Sequence, residues 1–215
     1  QRFYEFMVPL VKGYSTEMSL EVTSLGVQVH GGMGFIEETG AAQYYRDAKI
    51  LTIYEGTTAI QANDLVGRKT ARDGGETAKA LASQISQTVD ALRASGSAAA
   101  NAMARELDRA RQAFLDAALF IAAQTRGNPN AAFAGSVPYL MLTGNLMAGW
   151  QMARGLLAAE KALAEGDSEF GETFLQAKVT TARFYAEHIL VKTGALRDAI
   201  VEGADSVNAM PLEAY

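Results

Sequence analysis

Apolar residues recur along most of this chain at intervals of three and four. Leu10, Val11, Tyr14, Met18, Val22, Leu25 and Val29 keep to that spacing and mark one face of a helix over about residues 10–29. Pro9 suits the first turn of such a helix, where its missing N–H has no partner to lose. Gly31 and Gly32 stop it. A shorter helical run covers residues 41–51. Thr52, Ile53, Tyr54, Glu55, Gly56 and Thr57 then break the period with β-branched residues, a glycine and a hydroxyl suited to cap the next helix, predicted over 58–69.

Arg72-Asp73-Gly74-Gly75 is the strongest boundary signal, two glycines beside charges that read as a linker or a sharp turn. Beyond it the composition shifts to alanine. Leu81, Ile85, Val89 and Leu92 make one helical stripe, and Ala94-Ser95-Gly96-Ser97 makes a turn. Met103, Leu107, Ala110, Phe114, Ala118 and Ile121 mark a second helix that ends at Gly127-Asn128-Pro129-Asn130. A third is predicted over 136–165, stopping at Gly166-Asp167. A fourth carries Phe170, Phe174, Ala177, Thr181, Phe184 and His188 and ends near Gly194, before a short helix over 196–202. Strand signals are nearly absent. The expected fold is all-α: a helical unit over 1–73, then an up-down four-helix bundle-like extension over 74–215.

Composition narrows the function. The chain has 215 residues, room for one or two domains, and 49% are apolar, enough to bury a core. With no cysteine there is no disulfide and no thiolate metal site, and His30 and His188 form no HxxxH pair, so a catalytic zinc is not expected. A net charge of −5 without a basic stripe argues against nucleic acid. The longest apolar stretch, 137–163, is interrupted by Asn145, Gln151, Arg154, Glu160 and Lys161, short of the roughly 18 residues a membrane span needs. Gln1 opens on what reads as the interior of a longer protein, with no targeting pattern, and a cytoplasmic location is expected.

Two segments stand apart from the helical background. Gln28-Val29-His30-Gly31-Gly32-Met33-Gly34-Phe35 puts three glycines in four positions, each costing about 1 kcal/mol in a helix relative to alanine. Taken alone, they fit either a helix cap with a turn or a close backbone approach to a phosphate or planar cofactor. In the second segment Glu55 lies between an aromatic residue and a glycine, where a loop meets a helix. It is either a solvated surface group or, if buried, a carboxylate suited to act as a base.

Together, residues 28–35, Tyr45-Arg46-Asp47-Ala48-Lys49-Ile50 and Ile53-Tyr54-Glu55-Gly56-Thr57, in this order and spacing, resemble the C-terminal helical domain of acyl-CoA dehydrogenases, over about residues 1–72. The resemblance implies an FAD-dependent enzyme that introduces a double bond between C2 and C3 of an acyl-CoA. It makes Glu55 the α-proton base and sets Gly56 against the substrate. Thr57 would then contact FAD, and Gln28, Gly31 and Gly32 would meet the FAD of a neighbouring subunit. It further implies an electron-transfer flavoprotein as acceptor and a homodimer or dimer of dimers. Ala59 departs from the pattern, since many members carry a flavin-contacting glutamine there, and Thr58 is not an evident substitute.

His30 reads as a helix-end histidine that packs or donates to a carbonyl, and Arg46 with Asp47 as an ion pair fixing the loop. Met141, Met147, Trp150 and Met152 read as packing. The extension carries no catalytic motif, and its size resembles a long-form branch of the family. An acyl-CoA oxidase, or a helical oligomerisation module inactive in isolation, are the competing readings. The chain alone is expected to bind FAD weakly or not at all.

Overall fold

The first helix begins well before Pro9. The computed structural model describes residues 1–166 and 169–214; Asp167, half of the predicted third stop, lies outside the described residues. Helix α1 (Arg2–Pro9) runs through a π-helical stretch, Leu10–Tyr14, into α2 (Ser15–Val29). Pro9 is therefore an interior proline, not a first-turn one. It cannot donate to the carbonyl four residues back, and the widened turn that follows is how a helix accommodates such a break without ending. Phe6, Pro9, Leu10 and Gly13 are buried. By contrast α2 buries no residue fully, and Val22, Leu25 and Val29 of the predicted stripe are exposed.

A short α3 (Gly32–Phe35) leads to α4 (Ala41–Leu51), which packs back along α2. Helix α5 (Thr58–Asp64) continues through a second π-helical stretch, Leu65–Ala71. Of the two forms open to residues 72–75, the chain takes the sharp turn. The Asp73 carboxylate accepts the N–H groups of Gly75 and Thr77, each at 3.0 Å, and so caps the next helix.

That helix, α6 (Glu76–Ser95), opens the extension: α7 (Ala98–Gly127), α8 (Pro129–Ala134), α9 (Ser136–Glu165), α10 (Glu172–His188), α11 (Thr193–Val201) and α12 (Ala204–Asn208). Side-chain pairs fix the directions. Arg93 reaches Asp108, so α6 and α7 are antiparallel about a two-residue turn. Ser97 donates to Glu160 and Phe114 stacks on Tyr139, so α9 returns along α7. Tyr185, near the end of α10, donates to the carbonyl of Asn145 in the first half of α9, so α10 runs back along α9. The up-down arrangement is as expected.

The face of α10 is not. Phe170, Phe174 and Phe184 are exposed, while Leu175, Ala182 and Ala186 point into the core. The helix ends at His188, and Gly194 lies inside α11, which starts at Thr193. On an alanine-rich helix two faces offer similar apolarity, and the one that fits α9 is chosen by packing rather than by side-chain size.

Phe6, Leu10, Leu65 and Val66 join Leu81, Ile85, Leu107, Phe114, Leu140 and Leu156 in one hydrophobic cluster that is continuous across residue 73. Phe114 stacks on Tyr139 at 6.1 Å and meets Phe6 edge-on at 6.3 Å. Met147 and Trp150 are buried, with the Trp150 Nε1–H donated to Thr88 Oγ1 at 2.8 Å, so these residues serve packing. Gly144 lets Tyr14 lie against α9; a Cβ there would stand 2.1 Å from the tyrosine ring. The Tyr14 hydroxyl donates to Asn145 Oδ1 at 3.0 Å, and burial pushes both Tyr14 and Tyr185 above the usual tyrosine range. No described helix is long and apolar enough to cross a membrane.

Candidate active site in the turn between α4 and α5

Helix α4 closes with the N–H groups of Ile53 and Tyr54 both bonded to the Ile50 carbonyl, at 3.0 and 3.1 Å. The chain then reverses through Glu55 and Gly56. Glu55 has φ +51°, the one positive φ outside glycine among the described residues. Such a conformation costs of order 1–3 kcal/mol and persists only where the surroundings impose it. Gly56 has φ +97°, a backbone conformation that side-chain-bearing residues rarely adopt, and the movable end of the Gln61 side chain lies 2.9 Å from where its Cβ would stand. Thr57 returns to extended backbone and caps α5 as its sequence suggests, accepting the Ile60 N–H at 3.4 Å. The Glu55 side chain is exposed at the tip; this chain alone does not bury it.

Two side chains of the first long helix hold the turn. Lys12 Nζ donates to the Leu51 carbonyl at 2.5 Å, satisfying an orphan acceptor at the C-terminus of α4, and lies 5.1 Å from the centre of the Tyr54 ring. The Thr58 hydroxyl donates to Glu17 Oε1. The Thr58 hydroxyl hydrogen is therefore engaged inside the chain. Sequence reasoning missed Lys12 and Glu17. Their partners lie 39 and 41 residues away, and in a helical stripe both look like ordinary solvated charges.

Gln28, Gly31 and Gly32 sit at the other end of the α2–α4 pair. Eleven helical residues, Ala41–Leu51, separate the two ends by about 16 Å, so one chain does not bring these residues to Glu55. Gly31 has φ +60°, and a Cβ built at either glycine meets nothing, so the backbone here is open to a planar or anionic group. At the Glu55 end, the Thr57 hydroxyl accepts only one long bond and keeps its own hydrogen free to donate. Gln28, Gly31 and Gly32 on the one hand and Thr57 on the other thus face two separate places on this chain.

His30 Nδ1 lies 2.8 Å from the Gly26 carbonyl, which can only accept, so this nitrogen carries the proton and the histidine is a helix-end donor, as expected. Arg46 pairs with Glu37 at 2.7 Å rather than with Asp47. Consecutive helical residues point about 100° apart, so the neighbour in sequence is not the neighbour in space. Val22, Tyr44, Ile50, Ile53 and Tyr54 surround the pair of helices as an exposed apolar surface. No described group of three or more acidic or histidine side chains is arranged to hold a metal ion. A cavity of about 690 Å³ lies elsewhere, beside Arg2, Arg68, Lys69 and Arg72, and includes no site residue named above.

Comparison with known proteins gives the chain's family. Residues 5–69 match the family model described as acyl-CoA dehydrogenase, C-terminal domain, and residues 81–211 match acetyl-CoA dehydrogenase C-terminal like. The chain is 55% identical over 208 residues to 3-methylmercaptopropionyl-CoA dehydrogenase of Ruegeria pomeroyi, covering 96% of this chain and 34% of that protein. It is 34% identical over 200 residues to the broad-specificity linear acyl-CoA dehydrogenase FadE5 of Mycobacterium tuberculosis, covering 91% and 33%. It is 32% identical over 216 residues to a butyryl-CoA dehydrogenase of Syntrophomonas wolfei, covering 97% and 34%. The chain thus spans about a third of the length of the curated relatives it matches. With both family models aligned end to end on an all-helical fold, this chain belongs to the acyl-CoA dehydrogenase family and corresponds to its C-terminal helical portion.

Proposed function

We propose that this chain is the base-bearing C-terminal part of an FAD-dependent acyl-CoA dehydrogenase and that Glu55 removes the α-proton of the acyl thioester. The observation that carries this reading is the backbone of Glu55 itself, a strained non-glycine residue beside a positive-φ glycine in a turn tied down on both sides. A helical scaffold has no use for such a turn, whereas proton abstraction needs a carboxylate fixed in one place.

In this reading Glu55 Oε takes the proton from C2 and Gly56 leaves room for the thioester against the backbone. Thr57 donates its free hydroxyl hydrogen to the flavin. FAD, when bound, supplies the acceptor for the hydride leaving C3. Gln28, Gly31 and Gly32, being remote from Glu55 of the same chain, serve the flavin of a second subunit, so the working enzyme is a homodimer or dimer of dimers. The rest of the enzyme closes over Glu55 and removes the water that now surrounds it. Residues 1–73 carry the chemistry and 74–215 form a supporting unit. An electron-transfer flavoprotein fits as the reoxidant.

The test is Glu55→Gln in the full-length enzyme, which keeps size and removes the base. Anaerobic flavin bleaching by an acyl-CoA should slow by at least about 1,000-fold, or about 4 kcal/mol, with flavin content unchanged. Bleaching at the wild-type rate would place the base elsewhere.

A further inference from the structure

Lys12 and Glu17 lie on one helix, yet both reach the turn that holds Glu55. Lys12 binds the last carbonyl of α4 and covers the ring of Tyr54, the residue before Glu55. Glu17 accepts the hydroxyl of Thr58, three residues after it. The turn is clamped where α4 enters it and where α5 leaves it, both times by the first long helix, while its tip stays open. Lys12 also occupies the π-helical stretch, and the two residues after it are fixed by the extension. A Cβ on Gly13 would stand 2.8 Å from Leu140, and Tyr14 is bonded to Asn145 and packed on Gly144. The extra residue that widens this stretch thus sits where α9 is gripped on one side and the α4–α5 turn on the other.

We propose that Lys12 and Glu17 are positioning residues for Glu55, and that the extension acts on the reaction by fixing the helical turn that carries Lys12. This rests on the reading of Glu55 as the base. The strained φ of Glu55 has to be imposed, and the two clamps are the polar contacts from outside the turn that do so. A base displaced by an ångström still binds substrate but abstracts the proton slowly. The clamps act on rate, not on affinity.

The experiment uses the full-length flavoenzyme in anaerobic stopped flow, with a panel of acyl-CoAs, comparing wild type with Lys12→Met, Lys12→Arg, Thr58→Val and Glu55→Gln. Lys12→Met keeps the aliphatic stem and removes the donor. Its limiting rate of flavin reduction, per bound flavin, is expected to fall about 10- to 100-fold, with the substrate dissociation constant within about twofold and Tm little changed. Lys12→Arg should recover most of the loss, because a guanidinium can still reach the Leu51 carbonyl and lie over Tyr54. A Lys12→Met enzyme with the wild-type limiting rate overturns the proposal, as does one whose only change is a lower Tm. Should Lys12→Met fail to retain flavin, Thr58→Val decides, since it removes the second clamp without touching the helix that carries Lys12: slower reduction supports the proposal and an unchanged rate overturns it. Glu55→Gln separates the two ideas. If it is as fast as wild type, the assignment of the base fails; if it is inactive while both clamp variants run normally, only the clamp fails.

Discussion

Asp108 bridges two helices, 2.8 Å from Arg93 on α6 and 2.6 Å from Arg111 on its own helix. Partial burial works against its ionisation, but the bonds to Arg111 and Arg93 outweigh it and hold the carboxyl below its ordinary 3.8. Because the folded pKa lies under the unfolded one, the contribution to stability is full above the unfolded value and is lost as pH falls through the folded value. Asp108→Asn should therefore cost up to about 1 kcal/mol at pH 7 in urea denaturation, with the difference fading in strong acid. The buried pair of Thr70 and Tyr139, 3.0 Å apart, is a larger stake. Thr70→Val strands the tyrosine hydroxyl in the core and should cost about 1–3 kcal/mol by the same measurement. Burial also keeps Tyr139 neutral well above the usual tyrosine range, so this loss should not vary between pH 5 and 9.

Where helices meet, small residues decide the distance. Gly144→Ala drives a methyl group into the Tyr14 ring and should lower stability by about 1–3 kcal/mol. In the Tyr14→Ala background the same change should cost much less, and a double-mutant cycle measures the difference. At this scale the sequence was readable wherever a helix was framed by its own signals. Ala41–Leu51 and the Thr57 cap could be placed from local residues, and so could Gly96 with Ser97 between α6 and α7. It was unreadable where the deciding partner is distant. The aromatic stripe Phe170, Phe174 and Phe184 looks like a buried face but is a solvent face whose rings stack in pairs, Phe170 on Phe174 and Phe184 on His188. Pro9 reads as a start because nothing local announces a π-helical turn. Glu55 could be singled out by its motif, yet its positive φ and its clamps become visible only once residues 12, 17 and 58 share a neighbourhood.

Over the whole molecule, the core ignores the sharp turn at residues 72–75. Residues 1–73 made alone would expose Phe6, Leu10, Leu65 and Val66 together and should show little cooperative unfolding by circular dichroism. Residues 74–215 keep most of the cluster and should stay helical, with a lower Tm than the complete chain. The α2–α4 pair is built the opposite way. Its apolar residues face outward, which suits a surface that packs against another folded unit.

A core that straddles Asp73 also bears on how such a protein can change its architecture over generations. Gene fusion and recombination spread modules that fold independently. The helices before Asp73 do not form one, because four of their large side chains depend on the extension for burial. A lineage that shed everything after Asp73 would have to replace Phe6, Leu10, Leu65 and Val66 with polar residues in concert, since any intermediate exposes a bare apolar face to solvent. Long and short forms of such a chain are thus separated by a valley in sequence space rather than by a single deletion.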